Sequence, residues 1–113
     1  MDFKTYQTQS RTTAQYPNVG DNMQYLGLGL AEEGGEVAGK VKKLMRNEGI
    51  TSVHNLTDAH REMIVKELGD VLWYLTQFAV EVGSSLEEVA QVNIDKLADR
   101  AARNVIASKG DAR

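Results

Sequence analysis

The chain has 113 residues, no cysteine, a net charge of −3, and 42% hydrophobic and 26% charged residues. That is the length of one domain, 1–113, with a modest core, and it excludes disulfides, thiolate metal sites and the basic surface of a nucleic-acid binder. No apolar run is long enough for a membrane span and MDFKTYQTQS has no signal-peptide pattern, so the expected setting is cytoplasmic, with no membrane and no nucleic-acid partner.

Four helices are expected in chain order. The first covers roughly Asp2 to Ala14, weakly amphipathic, with Phe3, Tyr6 and Ser10 on one face. The only proline, Pro17, breaks the chain in QYPNVGDN. The second helix starts after Gly20, with Asp21 as N-cap and Gln24 three residues on. Its apolar stripe is Leu26, Leu30, Val37, Val41 and Leu44, and Asn47-Glu48-Gly49 ends it. The third begins at Thr57 or Asp58, carries Ile64, Leu68, Val71, Leu75, Phe78 and Val82, and stops at a left-handed Gly83. The fourth opens on the capping pattern Ser85-Leu86-Glu87-Glu88 and buries Leu86, Ala90, Ile94, Leu97, Ala101 and Val105, with SKGDAR fraying beyond it. No segment alternates like a half-buried strand, so the fold is all-α, a four-helix bundle-like domain. Helices two and three are apolar over more than half their circumference, which favours burial against a second copy.

One acid interrupts this pattern. At about 100° per residue, Glu33 falls inside the stripe of the second helix, three residues after Leu30 and four before Val37. Glu36 lies one turn on, with Glu32 beside it. On the third helix Glu67 and Asp70 are three apart and share a face bordering the apolar stripe, continuing to Met63 and Tyr74. If the two helices pack antiparallel through their stripes, both sets of acids face each other. Four or five carboxylates in a partly dry groove repel, and burying even one unpaired charge costs several kcal/mol. Raised pKa values or lysines can relieve this; a hard divalent cation, Mg2+ or Mn2+, does it best. The bland reading, an acidic helix surface in water, fits an isolated E-E-x-x-E well but fits Glu33 poorly. A di-iron carboxylate bundle would need Glu-x-x-His pairs, and none occurs. His54 and His60 fall in or near the loop between helices two and three and read as surface or capping residues.

GLAEEGGEVAGKVKK, then KELGDVLWYL, then SLEEVAQVNIDKLADR together resemble the MazG family of nucleoside triphosphate pyrophosphohydrolases, in the all-α NTP pyrophosphatase superfamily. YQTQSRTTAQYP resembles the start of short, single-domain MazG-like proteins, including those of phages. The family motif, E-E-x-x-E followed by E-x-x-D, stands here as Glu32-Glu33-Gly34-Gly35-Glu36 and Glu67-Leu68-Gly69-Asp70. The spacer between its halves is somewhat long, through NEGITSVHNLTDAH, which can reshape the mouth of the site. The resemblance implies Mg2+-dependent hydrolysis of an NTP or dNTP to the monophosphate and pyrophosphate. It also implies Glu33, Glu36, Glu67 and Asp70 as metal ligands, and assembly as a homodimer or homotetramer. Glu32 is a further acid that holds metal or orients water, and either Glu32 or Glu33 takes the water's proton.

A triphosphate needs other cations. Asn93, Lys96 and Arg100, three and four apart, flank the apolar stripe of the fourth helix; Lys40 and Lys43 share a side with Glu36. Each set reads either as phosphate-binding or as solvated charge balancing the acids. Tyr74, four residues past Asp70, stacks on a base or packs in the core; Trp73 points elsewhere, to core or interface. Gly34 suits a close approach of another helix or chain, and Gly35 close packing between subunits. Two alternatives stand beside the enzyme: a related dUTP-, dCTP- or phosphoribosyl-ATP-directed pyrophosphohydrolase, and a non-catalytic helical dimerisation module.

Overall fold

A computed structural model of the chain describes residues 1–103. Among them are four α-helices, α1 (Phe3–Arg11), α2 (Met23–Glu48), α3 (Asp58–Glu81) and α4 (Leu86–Ala102), a short 3-10 helix at Val53–Asn55, and no strand. The fold is all-α, as expected. No helix among the described residues is long and apolar enough to cross a membrane. Val105 and SKGDAR lie outside the described residues.

Side-chain chemistry at the ends sets each helix. Asp2 caps α1 by accepting from the Thr5 N–H at 2.7 Å. The helix stops at Arg11, three residues short of the expected Ala14, because the next two residues are threonines. The Thr12 and Thr13 hydroxyls donate back to the Gln9 and Ser10 carbonyls at 2.6 and 2.7 Å and draw the chain into tighter i→i+3 turns. The cap of α2 is Asn22 rather than Asp21. The Asn22 carboxamide accepts from Tyr25 N–H at 3.1 Å and donates to the Pro17 carbonyl at 2.7 Å, and an ionised Asp can only accept. Gly49, at φ 66°, ends α2 with Ile50 N–H bonded back to the Leu44 carbonyl, a Schellman arrangement. His60 is a capping residue: its Nδ1 accepts from Thr57 N–H at 3.1 Å while Thr57 Oγ1 accepts from His60 N–H at 3.1 Å. Gly83, at φ 79°, closes α3 as expected, and Ser85 caps α4 through Glu88 N–H.

The helices α2 and α3 run antiparallel: Gly27 faces Phe78, Gly29 faces Tyr74, Lys40 meets Glu67, and Glu48 meets His60, one number rising as the other falls. The α1 helix packs on α3 and α4, and α4 packs on α1 and α3 without reaching α2. Polar groups fix α1. Gln77, fully buried, donates to Ser10 Oγ at 3.0 Å, and Gln7 Oε1 accepts from Leu86 N–H at 2.8 Å.

The apolar stripes are only partly covered by this chain. Leu26, Leu44 and Leu86 are buried and Leu30, Val37, Leu75 and Phe78 half-buried. Val41, Leu68, Val82 and Ile94, all expected inside, are exposed, as are Ala101 and, on α1, Phe3. The reason is the open arrangement: among the described residues α2 packs on α3 alone, and neither α1 nor α4 reaches it.

Candidate active site

The antiparallel register brings α2 and α3 together at their acids. Glu33, Glu67 and Asp70 each offer a carboxylate oxygen, and these lie within 4.8 Å of one another. Glu33 and Glu67 are half-buried and Asp70 is exposed. Burial first, then the charges of Asp70, Glu32, Glu67 and Glu36, push the Glu33 carboxyl above its ordinary value. The acid placed inside an apolar stripe by its sequence position is thus the one that its surroundings oppose ionising.

Glu36 is exposed and stands outside this converging trio, although its charge still acts on Glu33. Glu32 is also exposed and lines a neighbouring cleft. Lys40 brings its Nζ to 3.9 Å from Glu67 Oε1, so it faces the acids directly; Lys43 is exposed. Asn93 and Lys96 are placed elsewhere, in a groove between α4 and the end of α3 lined by Val82, Ser84, Glu88, Val89 and Val92 and by none of the motif acids. Arg100 is buried on α4. The strip expected of these three residues thus has Asn93 and Lys96 in a groove that the motif acids do not line and Arg100 buried on the same helix.

Beside the trio lies an aromatic wall. Tyr74 packs against α2 where Gly29 leaves room: a Cβ there would overlap the Tyr74 ring. Tyr25, Leu28, Gly29, Glu32 and Tyr74 line a cleft of about 250 Å³. The Tyr74 phenol is pushed up to about 12, by burial first, then by its hydrogen bond and charge interaction with Tyr25 and by the charges of Glu33 and Glu32. Trp73, half-buried, donates from Nε1 to Thr13 Oγ1 at 2.8 Å and sets its ring edge-on to Tyr74 at 5.0 Å. On the other side, the Tyr6 phenol of α1 is raised by burial and then by the charge of Asp70, so α1 borders the site as well. Tyr6, Tyr25 and Gly29 were not legible as site residues. Each owes its place to a tertiary contact, and only the glycine one turn before Glu33 hinted at a close neighbour.

Among the described residues, nothing beyond the helix itself lies within 4 Å of where a Cβ of Gly34 or Gly35 would stand, so no close approach of another described helix explains them.

An all-helical chain whose acids converge from two antiparallel helices defines the class: an all-α protein with a carboxylate site suited to a divalent ion. The model of the MazG nucleotide pyrophosphohydrolase domain matches residues 22–104. The chain belongs to the MazG family of nucleotide pyrophosphohydrolases, which places it among hydrolases. It is also similar over its whole length to the "Gene 37 protein" of Mycobacterium phage L5, at 39% identity over 119 aligned residues covering all of both chains. No solved structure matches it.

The family depends on a divalent metal, and the trio fits one. An octahedral Mg2+ holds oxygens at about 2.1 Å, so its ligand oxygens stand no more than about 4.2 Å apart across the ion. Carboxylates already within 4.8 Å need only small rotations to meet that spacing. The donor set, all oxygen and all anionic, is what hard cations prefer.

Proposed function

We propose that this protein hydrolyses nucleoside or deoxynucleoside triphosphates to the monophosphate and pyrophosphate, with Mg2+ as cofactor and Mn2+ as a substitute, by attack of water on the α-phosphorus. The convergence of Glu33, Glu67 and Asp70 from two helices carries this reading, because three carboxylates gathered against apolar packing are costly without a cation.

Glu33, Glu67 and Asp70 hold the metal, and Glu36, one turn beyond Glu33, swings in as a further ligand. Bound there, the ion supplies Lewis-acid stabilisation of charge on the phosphoryl oxygens. Glu32 lies outside the trio, is exposed, and lines the adjoining cleft, so it is the better placed of the two motif glutamates to take the proton of the attacking water. Lys40 offsets charge at Glu67 and stands ready to meet a phosphate; Lys43 lies one turn further along α2. The cleft that Tyr25, Leu28 and Tyr74 line takes the base against its aromatic wall. We further propose that the chain works as a homodimer or homotetramer. Val41, Met45, Val65 and Leu68 are exposed on α2 and α3, and Asn93, Lys96 and Arg100 reach the triphosphate only if association or closure moves α4 toward an acid site.

The test is a panel of NTPs and dNTPs with Mg2+ in ¹⁸O-labelled water. The expected products are pyrophosphate and a monophosphate, with the label in the monophosphate. Orthophosphate release, or label in the pyrophosphate, would remove the assignment. No turnover of any nucleotide would favour the non-catalytic module.

A further inference from the structure

Glu81, at the far end of α3 from the motif acids, is almost wholly buried and gathers four donors on one carboxylate. Its Oε2 accepts from the Tyr16 hydroxyl at 2.5 Å, Gly20 N–H at 2.5 Å and Arg11 Nη2 at 3.3 Å, and its Oε1 accepts from Asn22 N–H at 2.7 Å. A buried carboxylate with its lone pairs used in this way is a rigid fixture, since losing any partner would leave a charge short of compensation.

What it fixes leads to the cleft by two routes. Through Tyr16, it holds a ring stacked on Tyr25, with centroids 5.3 Å apart and planes 12° from parallel. Tyr25 in turn lies 6.3 Å from Tyr74, Tyr74 lies 5.0 Å from Trp73, and Trp73 returns to Tyr16 edge-on at 6.4 Å, closing a ring of four aromatics. Through the Asn22 N–H, it sets the residue that caps α2 and whose side chain accepts from Tyr25 N–H. Backbone and ring of Tyr25 are both referred to the same carboxylate.

We infer that Glu81 is a positioning residue for base recognition: acting through Tyr16 and the Asn22 cap, it holds Tyr25 in place beside Tyr74 in the wall of the cleft that meets the base. The inference rests on the nucleotide pyrophosphohydrolase reading above. It separates two parts of the site. The acids handle the phosphates, and the loop between α1 and α2, pinned by one buried carboxylate, governs the wall that meets the base. A loosened pin leaves the metal trio in place and makes the protein worse at holding nucleosides.

The experiment compares the parent with Glu81→Gln and with Tyr16→Phe, the second removing only the hydroxyl that Glu81 accepts from. Steady-state kcat and KM are measured for the best nucleoside triphosphate with Mg2+, together with the Ki of ribose 5-triphosphate, which has no base. The expected result is a KM raised about tenfold, within what base stacking on aromatics supplies, with kcat within about twofold of the parent and the Ki of the base-free competitor unchanged. Unaltered KM in both variants, or a Ki that rises in step with KM, overturns the inference while an active parent leaves the proposed reaction standing. A parent that turns over no nucleotide removes the reaction and this inference with it.

Discussion

At the residue scale the decisive feature is one glutamate in the wrong place for a surface. Glu33 occupies a position of the α2 stripe flanked by Leu30 and Val37, both half-buried, and shares its surroundings with Glu67 and Asp70. Burial first, and then the like charges gathered around it, raise the Glu33 carboxyl. Replacing Glu33 by Gln or Asp70 by Asn is expected to cost activity on the order of a hundredfold or more, as removal of a group that supports transition-state charge does. The same substitutions should raise the melting temperature of the metal-free protein, by relieving repulsion, and abolish the rise that Mg2+ gives the parent. Melting curves with and without Mg2+ check this; a metal-free variant that melts lower than the parent would mean that the acids are not in conflict. This site was half legible. The spacing of Glu67 and Asp70 and the stripe position of Glu33 could be read off a helical wheel, whereas the exclusion of Glu36 from the trio could not, because it depends on how α2 is rotated against α3.

Between elements, the connection from α1 to α2 has no regular structure from Thr12 to Asn22, and Glu81 supplies much of what orders it. Burial alone would push the Glu81 carboxyl up; the hydrogen bonds from Tyr16, Asn22 N–H, Gly20 N–H and Arg11 outweigh it and hold the group down at about 2, against an ordinary 4.5. A folded value below the unfolded one means that ionised Glu81 stabilises the fold. That contribution is fully present above about pH 4.5 and is lost as pH falls from there through about 2. Denaturant midpoints measured between pH 5 and pH 2.5 should therefore fall more steeply in the parent than in Glu81→Gln, which has no such proton to take up. Parallel slopes would show that the carboxylate is not the anchor. Nothing in the local sequence marks Glu81, since its donors come from residues 59 to 70 positions away. By contrast, the caps at Asp2, Ser85, Gly49 and Gly83 involve neighbours a few residues off, and all were readable.

For the molecule as a whole, the buried apolar side chains among the described residues are Tyr16, Leu26, Leu44, Ala79 and Leu86, a thin core for four helices. The α2 helix exposes Val41 and Met45 one turn apart, and α3 exposes Val65 and Leu68. If association covers these faces, Val41→Glu combined with Met45→Glu should shift sedimentation toward the monomer and lower thermal stability, although both side chains are already exposed in the single chain. A parent that sediments as a monomer at micromolar concentration would reject the assembly. Gly34 and Gly35, with open space beside them in one chain, belong to the same question.

The sequence by itself determined the four helices, most of their end signals though not the Asn22 cap of α2, the all-α class, the family, and which acids could share a groove. These follow from interactions between residues three or four apart, and period and spacing record them faithfully. Only the tertiary structure decided that Glu33, Glu67 and Asp70 meet while Glu36 stands aside, that Asn93 and Lys96 line a different groove, that Gly29 makes room for Tyr74, and that Glu81 gathers a distant loop. Those outcomes depend on how far α2 slides and rotates against α3, and a rotation of a few tens of degrees about a helix axis, too small to alter the apolar period, is enough to move a carboxylate from the seam into water.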